Sequence, residues 1–566
     1  MWAPAVGRVE LIIENRRIDL KPRGGGWWHC DEPAKHLTYY SYSLEEGPSR
    51  PDPRSAWQPV GPDGASRIVD HGLFKWSDGS WHGATLSDAI FYELHIGTFT
   101  PEGTFDAAIG RLDHLVDLGV TAVELMPVAE FSGDHGWGYD GVDLFAPHHA
   151  YGGPDGLKRF VNACHERGLA VVMDVVYNHL GPSGNYLREF GPYFTDRYST
   201  PWGDAVNFDD ADSDEVRRFV VDNALAWLRD YHCDGLRVDA VHAIYDASAT
   251  HILEELSIAV EELQSDLGRP LWVIAESDLN DPRIVTPRDR GGYGVDAQWS
   301  DDFHHALHAL VTGERMGYYS DFGAIEDLAV ALEQAFVYAG RHSDYRKRRH
   351  GRKPEDLPAT RFLGYLQNHD QIGNRAQGER SAALLSHDML HVVAAIVLTS
   401  PFVPMLFQGE EWGASTPFQY FTDHLDPALG RAVSEGRRRE FATFGWDPED
   451  VPDPQDPATF ERSKLKWNEL DEGDHAELLE WHKKLIALRR EYPSLSDGSF
   501  ATDLRFDETE RWLAFDRGPL TVVCNFSKEQ RDVGDVDGDV ILASKAPDSG
   551  AVPPESVRIV ARRDGT

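Results

Sequence analysis

Eight short apolar runs recur between residues 85 and 495, separated by stretches with a helical period. Continuous runs of Val, Ile, Leu and Phe are typical of strands buried on both faces. The predicted strands are Ala89–Ile96, Thr121–Met126, Ala170–Tyr177, Gly235–Ala240, Leu271–Glu276, Val295–Trp299, Phe362–Gln367 and Phe402–Phe407. Between them, apolar residues recur at i, i+3, i+4 and i+7. Strands that alternate with helices indicate a parallel sheet, and eight of them predict a closed (β/α)8 TIM barrel.

Both ends of the chain instead alternate apolar with polar residues, as strands of half-buried sheets do. Val9–Ile13 shows this near the start and Leu520–Phe526 near the end. We therefore predict an α/β catalytic barrel over residues 85–495. It is flanked by an N-terminal β-sandwich with a linker over 1–84 and by a C-terminal β-sandwich over 496–566.

One predicted loop is much longer than the others. It runs from about residue 179 to 210, after the third strand, and is rich in Gly, Pro and aromatic residues. Loops of this length are uncommon unless they have a function. Active sites of such barrels lie at the carboxyl ends of the strands, so we expect this insertion to form part of a substrate groove.

Charge and composition narrow the class of ligand. The net charge of −39 repels nucleic acid and anionic membranes, and no apolar run approaches the length of a membrane span. The basic segment 341–353 lacks interleaved aromatic residues and is interpreted as a solvated loop. Four scattered cysteines without a CxxC pair indicate reduced thiols. We predict a cytoplasmic protein with a neutral substrate such as a sugar, and no nucleic-acid or membrane partner.

Acidic residues occupy the carboxyl ends of several predicted strands. Asp174 lies within the third, Asp239 and Arg237 end the fourth, Glu276 ends the fifth and Asp370 follows the seventh. An arginine beside Asp239 favours the ionised carboxylate, which a carboxylate nucleophile requires. Taken alone, an Asp–Arg pair at a strand end is more often structural. Because all eight strands of a barrel end at one rim, we expect these acids to converge there.

The four strand ends resemble the four short sequence regions of the α-amylase family, glycoside hydrolase family 13. The matching stretches are Asp174–His179, Asp234–Asp239, Ile274–Ser277 and Gln367–Asp370, in the same order and on the corresponding strands. The resemblance covers about residues 85–490.

Longer signatures are similar to those of one family within that group, the malto-oligosyltrehalose trehalohydrolases. They are Val238–Asp246, Ala275–Arg283, Gln298–Leu307 and Asn368–Arg375.

The resemblance implies a role for each of three acids. Glycoside cleavage uses two carboxyl groups, and Asp239 would be the nucleophile and Glu276 the acid. Asp370 would hold the hydroxyls of the distorted sugar. Glu276 ends an apolar strand, a setting that favours the protonated form an acid catalyst needs. Retention of the α configuration is expected if the two carboxyl groups stand about 5–5.5 Å apart.

The resemblance also implies a set of substrate-binding residues around these acids: Tyr139, His179, Arg237, His242, Asp301, Asp302, His304, His305, His369, Gln371, Asn374 and Arg375. Tyr139 would stack on the sugar that is cleaved, and Asp174 would orient Arg237. The Asp301–His305 group also fits a simpler interpretation, a helix cap with solvated histidines. The chemistry needs no cofactor, and the His–Asp clusters lack the spacing and thiolates of a zinc site, so we predict no metal.

These implications lead to a specific expected function. It is hydrolysis of the α-1,4-glucosidic bond next to the terminal trehalose of malto-oligosyltrehalose, with malto-oligosyltrehalose synthase as a pathway partner. One alternative is a glycogen branching or debranching enzyme of the same family. Another is a catalytically inactive glycan-binding protein, which has no need of all three acids.

Overall fold

The computed structural model of the protein describes residues 1–442, 447–534, 536–546 and 551–563. Eight parallel strands close into a barrel: β1 (Phe91–Leu94), β2 (Ala122–Leu125), β3 (Ala170–Val175), β4 (Gly235–Val238), β5 (Trp272–Ala275), β6 (Ala297–Trp299), β7 (Phe362–Gly364) and β8 (Val403–Phe407). They pair in chain order, and β8 pairs with β1. The predicted barrel is confirmed, and each strand lies within its predicted range.

Helices follow the strands and wrap the barrel. The α-helices are Ile96–Phe99, Phe105–Ile109, Leu112–Leu118, Gly153–Glu166, Leu187–Phe190, Asp214–Arg229, Ile252–Leu267, Asp301–Thr312, Ile325–Gln334, His369–Gly373, Ser381–Leu384, His387–Thr399, Pro427–Ala442, Pro457–Ser463 and Gly473–Glu491. Within the described ranges, no helix is both long and apolar enough to cross a bilayer.

The inside of the barrel changes from apolar to charged toward the carboxyl ends of its strands. Phe91, Trp272 and Met405 belong to an apolar cluster inside the barrel. Glu93 lies two residues beyond Phe91 on β1, and Asp174 lies two residues beyond Val172 on β3. Both acids are also buried. Charged groups at this depth must find partners, because an unpaired buried charge is strongly unfavourable. The fold therefore forces a network of ion pairs just below the rim.

One antiparallel sheet precedes the barrel in the chain and another follows it. The N-terminal sheet contains Val9–Ile13, Arg16–Asp19, Tyr39–Leu44, Ser49–Arg50 and Ser66–Arg67, with a separate hairpin of Lys21–Gly24 and Trp27–His29. The C-terminal sheet contains Thr502–Asp507, Trp512–Arg517, Leu520–Asn525, Asp539–Ala543 and Ser556–Ala561.

The C-terminal sheet packs on the barrel helix His387–Thr399, whose buried residues lie all around its axis. The domain boundaries near residues 84 and 495 stay predictions. Residues 443–446 of the predicted barrel domain, and residues 535, 547–550 and 564–566 of the predicted C-terminal domain, lie outside the described ranges.

Three small hairpins decorate the loops of the barrel. They are Ala129–Glu130 with Asp143–Pro147, Phe194–Thr200 with Gly203–Val206, and His342–Ser343 with Arg348–Arg349. The second belongs to the long insertion after β3, which therefore has secondary structure of its own. The third lies in the basic segment that the sequence suggested was only a solvated loop.

Candidate active site

Arg237, on β4, is at the centre of the charge network. Its Nη1 donates to Asp174 at 2.7 Å and to Asp239 at 3.0 Å, while Nη2 lies 3.0 Å from Glu276 Oε2. The side chain is 1% exposed, and its guanidinium lies 4.3 Å from the centroid of the Trp299 ring. Burial alone lowers the pKa of Arg237, but Asp174 and the other anions raise it far above its ordinary value. One permanent cation thus spans the two predicted catalytic carboxylates.

Asp239 is held from its other side by Asn178. The Asn178 amide donates to Asp239 Oδ2 at 2.6 Å and to the Asp239 carbonyl oxygen at 3.0 Å. Asn178 lies in the loop that leaves β3, so two neighbouring strands fix this carboxylate. A carboxylate with donors on both oxygens cannot rotate freely, which suits a nucleophile that must attack along one direction.

A residue in the left-handed conformation connects Asp239 to Glu276. Ala240 has φ of 40° and ψ of 51°, a conformation that is unfavourable for a residue with a Cβ atom. In this conformation its N–H donates to Glu276 Oε2 at 2.6 Å. The next amide, that of Val241, donates to the Glu276 carbonyl oxygen at 3.0 Å. The turn after Asp239 therefore orients Glu276.

Asp370 and His369 occupy the first turn of the helix that follows β7. Asn368 caps this helix by accepting a hydrogen bond from the Gln371 N–H at 2.9 Å. Burial raises the pKa of the Asp370 carboxyl. Burial also opposes the charge of His369, yet its contact with Glu93 on β1 outweighs this effect and raises the His369 pKa. We infer a Glu93–His369 ion pair, which closes the network on the far side of the barrel.

Tyr139 connects the group around Arg237 with the Glu93–His369 pair. Its hydroxyl donates to Asp174 at 2.7 Å, and its oxygen lies 2.7 Å from His369 Nε2 and 3.1 Å from Arg237 Nη1. Its ring stacks on that of His369 at 5.3 Å between centroids. Desolvation raises the pKa of Asp174 to about 7, against the opposing effect of Arg237.

His179 contacts the hairpin of the long insertion. Its ring stacks on Trp202 at 4.3 Å with 7° between the planes, and Nε2 lies 3.0 Å from the Tyr139 carbonyl oxygen. Burial lowers the pKa of His179 to about 4, so the imidazole is neutral at neutral pH. Trp202 is 53% exposed and was not predicted as a site residue.

The Asp301–His305 group is brought near the site but is mostly engaged with protein atoms. Asp301 accepts from the Tyr365 hydroxyl at 2.5 Å, and the nearby carboxylate of Glu276 adds to the burial that raises its pKa. Asp302 is buried and accepts from Asn280 at 2.8 Å and from the Tyr338 N–H at 2.7 Å. It does not cap its helix by a side-chain bond. These contacts favour a structural role for Asp302.

The two histidines of this group are not solvated. His304 lies between the Leu366 carbonyl oxygen and the Tyr319 hydroxyl, at 2.5 Å and 2.9 Å. His305 packs against the rings of Tyr318 and Phe322, and burial lowers its pKa to about 3. Both are buried, and we correct the alternative of solvated histidines accordingly.

The remaining predicted binding residues lie on two elements at the rim. His242 is exposed on the short turn Val241–Ala243 that follows β4. Gln371 accepts from the Tyr319 hydroxyl at 3.4 Å, and Asn374 donates to Asp370 at 2.7 Å. Arg375 forms a two-bond pair with Glu314 at 2.8 Å for each bond. All predicted substrate contacts stay predictions, since they require a sugar.

Several residues at this rim could not be identified from sequence alone. Glu93 and Asn178 hold His369 and Asp239, and each looks like a single polar residue at a strand end. Arg346, from the basic hairpin, reaches Asp278 at 3.0 Å, two residues beyond Glu276. The available signal for Arg346 is the cluster of arginines in the segment 341–353, which the sequence alone indicates to be a solvated loop.

Groups of possible metal ligands lie outside this network. Glu130 with His148 and His149, and His387 with His391 and Glu477, are the clusters found in the described part of the chain. Neither includes a predicted catalytic acid. The predicted absence of a required metal or cofactor stays a prediction.

The sequence of this chain is similar to those of known glycoside hydrolases. The sequence profile of the alpha amylase catalytic domain matches residues 72–200, and that of a domain of unknown function (DUF3459) matches residues 497–559. The malto-oligosyltrehalose trehalohydrolase of Arthrobacter ramosus is 53% identical, over 92% of this chain and 91% of its own length. That of Saccharolobus solfataricus is 44% identical, over 96% and 93%. A branching enzyme of Pseudoalteromonas atlantica is 28% identical over 61% and 54%.

Solved structures show the same fold. A putative alpha amylase from Salmonella typhimurium superimposes with a TM-score of 0.93 and 39% identity, over 100% of this chain and 97% of that one. A pullulanase from Anoxybacillus shares only 18% identity, with a TM-score of 0.73 over 100% and 85%, and so shows the fold alone. This protein is a glycoside hydrolase of the α-amylase type, and the chain belongs to the malto-oligosyltrehalose trehalohydrolase family.

Proposed function

We propose that this protein hydrolyses the α-1,4-glucosidic bond next to the terminal trehalose of malto-oligosyltrehalose, releasing trehalose and a malto-oligosaccharide. The observation that carries the proposal is the Arg237 guanidinium between Asp239 and Glu276. One guanidinium within 3.0 Å of both carboxyl groups holds them in a single site, as the two-carboxyl mechanism of glycosidases requires. The trehalohydrolase relatives support the choice of substrate.

The geometry supports a two-step mechanism. Asp239 Oδ attacks the anomeric carbon while Glu276 gives its proton to the glycosidic oxygen, and trehalose leaves. A covalent glycosyl–Asp239 intermediate remains. Glu276, now a carboxylate, takes a proton from water, which attacks the same carbon and restores Asp239. Two displacements on one carbon retain the α configuration.

Other residues of the network supply position and charge. Arg237 stays cationic throughout and stabilises whichever of the two carboxylates is ionised. Asp370 accepts from hydroxyls of the sugar at the cleaved bond, and its attachment to Asn374 limits its rotation. Tyr139 offers an aromatic face beside that sugar.

Discrimination of trehalose from a maltose end requires polar groups on the leaving-group side. The groups best placed are His242 on the turn after β4, Gln371 in the helix after β7, and the pair of Asp278 after β5 with Arg346 of the basic hairpin. A site that hydrogen-bonds substrate hydroxyls rejects an analogue that cannot pair with it by a larger factor than an apolar pocket does.

Product analysis tests the proposal. The purified protein is incubated separately with maltotriosyltrehalose and with amylose, and the products are separated by chromatography. Free trehalose with maltotriose is expected from the first and little cleavage from the second. New α-1,6 branches would support a branching enzyme instead, and no product from either would indicate a glycan-binding protein. Asp239→Asn is the control, expected to lower the rate by at least about a thousandfold, as for other nucleophile replacements.

The biological setting is part of this proposal. The substrate carries trehalose at what was the reducing end of a maltodextrin, so an enzyme that rearranges that end must act first. We propose malto-oligosyltrehalose synthase as this pathway partner and the cytoplasm as the location.

A further inference from the structure

Two histidines stand about one turn apart at the start of the helix His387–Thr399. His387 and His391 occupy positions i and i+4, so both rings project from one face of the helix, and their centroids lie 4.6 Å apart. Glu477, on the neighbouring helix Gly473–Glu491, comes to the same place. Each of these three residues offers a ring nitrogen or a carboxylate oxygen within 4.8 Å of the other two. We call this group the interhelical cluster.

The hydrogen bonding of His391 leaves one of its ring nitrogens able to bind a metal. The residue is 4% exposed, and its Nδ1 lies 2.9 Å from the His387 carbonyl oxygen. Because a carbonyl oxygen only accepts, Nδ1 carries the proton and Nε2 keeps its lone pair in the neutral imidazole. Metal-binding histidines commonly donate their second ring N–H to a backbone carbonyl in this way. His391 is therefore held in the tautomer that a metal ligand needs.

His387 and Glu477 face each other across a gap that is too wide for a hydrogen bond. Nε2 of His387 lies 3.7 Å from the Glu477 carboxylate, is buried and has no hydrogen-bond partner among the described residues. Two ligand atoms of a tetrahedral zinc ion stand about 3.3 Å apart, because each lies about 2.0–2.1 Å from the metal. A small rotation of the Glu477 side chain, which is 66% exposed, gives this separation. The carboxylate that covers the nitrogen would then also cover an ion between the two groups.

The other group of possible ligands in the described ranges is less suited to a metal. Its members are Glu130, His148 and His149. Nδ1 of His148 accepts a hydrogen bond from the Ala150 N–H at 3.1 Å, so in a neutral ring Nε2 carries the proton and has no lone pair for a metal. Nδ1 of His149 is already engaged with Glu130 at 2.7 Å. The interhelical cluster is therefore the better candidate.

The types of ligand in this cluster select the class of ion. Two imidazoles with one carboxylate suit zinc and related divalent transition metals, whereas calcium and magnesium prefer oxygen ligands. Three protein ligands leave a fourth position for water, and the exposed side chain of Glu477 gives that position access to solvent. The net charge of −39 also favours the approach of a cation over that of an anion.

We propose that the interhelical cluster binds a divalent transition-metal ion of the zinc type through His387, His391 and Glu477. The ion joins the helix His387–Thr399, which the C-terminal sheet covers, to the helix Gly473–Glu491, and so stabilises the folded protein. None of the three ligands is one of the predicted catalytic acids. The role of the ion is structural, so the proposal does not rest on the proposed function.

Calorimetric titration with zinc chloride tests the proposal. The full-length protein is prepared without a histidine tag, treated with a chelator and exchanged into chelator-free buffer. We expect one saturable site per chain with micromolar or tighter affinity. The melting temperature should rise with zinc, because an ion that binds only the folded protein stabilises it. Magnesium chloride is the control and should give neither effect. Absence of saturable zinc binding would overturn the proposal.

Variants assign the ion to these residues. His391→Gln and Glu477→Gln each remove one ligand and should weaken zinc binding by at least about tenfold, since loss of an outer-shell partner alone has an effect of about 10–100-fold. Glu480→Gln, an exposed residue nearly one turn further along the same helix, is the matched control and should leave the affinity unchanged. Circular dichroism reports whether each variant is folded. Unchanged zinc affinity in folded His391→Gln and Glu477→Gln, or loss of binding in His149→Gln instead, would contradict the assignment and overturn the proposal.

Discussion

At the scale of single residues, Arg237 determines how the site is built. It is the buried cation that contacts Asp174, Asp239 and Glu276 together, and its planar guanidinium has separate nitrogens for separate carboxylates. A lysine in its place keeps the charge but offers a single nitrogen. The identity of this residue therefore matters as much as its charge.

The variant Arg237→Lys tests this point. We expect kcat to fall about a hundredfold, since a misplacement of about 1 Å at a catalytic group has an effect of this size. Circular dichroism and the melting temperature report whether the fold is kept. An unchanged kcat in a folded variant would show that the guanidinium does not position the two acids.

The Glu93–His369 pair predicts a pH dependence of stability. The folded-state pKa of His369 is raised above the unfolded value of about 6.5. Its contribution to the free energy of unfolding is therefore complete below about pH 6.5 and is lost as the pH rises through the folded pKa. Urea unfolding of the wild type and of His369→Asn is measured between about pH 5.5 and about pH 9.5, which brackets the ordinary histidine pKa. The difference between the two free energies of unfolding should shrink as the pH rises. A constant difference would contradict the ion pair.

Asp239, Glu276 and Asp370 could be predicted as candidate catalytic residues because each follows a strand that is recognisable by its apolar run. Their convergence then follows from barrel closure alone. Glu93, Asn178 and Arg346 escaped prediction for the opposite reason, since their partners lie on other strands or loops. For Asp302 the residue type suggested a binding or capping role, while its actual partners, Asn280 and Tyr338, lie in different loops.

At the scale of elements, the hairpin Phe194–Thr200 and Gly203–Val206 brings an exposed aromatic ring to the rim. Trp202 sits between these two strands and covers His179. The length and composition of the segment predicted a functional loop. The pairing of the two strands of this hairpin was not predictable, because their register shifts between Thr195 and Ser199 and breaks the regular alternation of side chains.

The variant Trp202→Ala tests the role of this ring. The variant loses the aromatic contact that Trp202 would make with a bound sugar, which is worth about 0.5–1.5 kcal/mol. We therefore expect KM to rise by about 2–10-fold with little change in kcat. The melting temperature should hardly change, because the ring is largely exposed. Trp202→Phe is the matched control and should keep most of the affinity. A fall in kcat at constant KM would instead place the ring in the catalytic step, through His179.

At the scale of the whole molecule, the C-terminal sheet covers an element that is buried on every side. The helix His387–Thr399 is apolar for most of its length and packs on the sheet strands Leu520–Asn525 and Ser556–Ala561. The alternating pattern predicted strands here but gave no information about which barrel helix they cover.

Truncation after residue 495 is expected to make the protein insoluble, because it exposes this helix face to water. The full-length chain should unfold in a single calorimetric transition. Lys545→Ala is the control, since it removes a partly exposed ion pair with Asp388 and a hydrogen bond to the Pro554 carbonyl oxygen, and should change the free energy of unfolding by no more than about 1–2 kcal/mol. A soluble, active truncated protein would show that the barrel does not need this cover.

The left-handed turn at Ala240 has a consequence for redesign. Its amide binds the Glu276 carboxylate and the preceding residue is Asp239, so the main chain at this turn couples the positions of the two side chains. Attempts to convert this scaffold to the opposite stereochemical outcome by trimming or lengthening either acid would act against that constraint. Redesign of the spacing between these two carboxyl groups therefore has to include the backbone of the turn after β4.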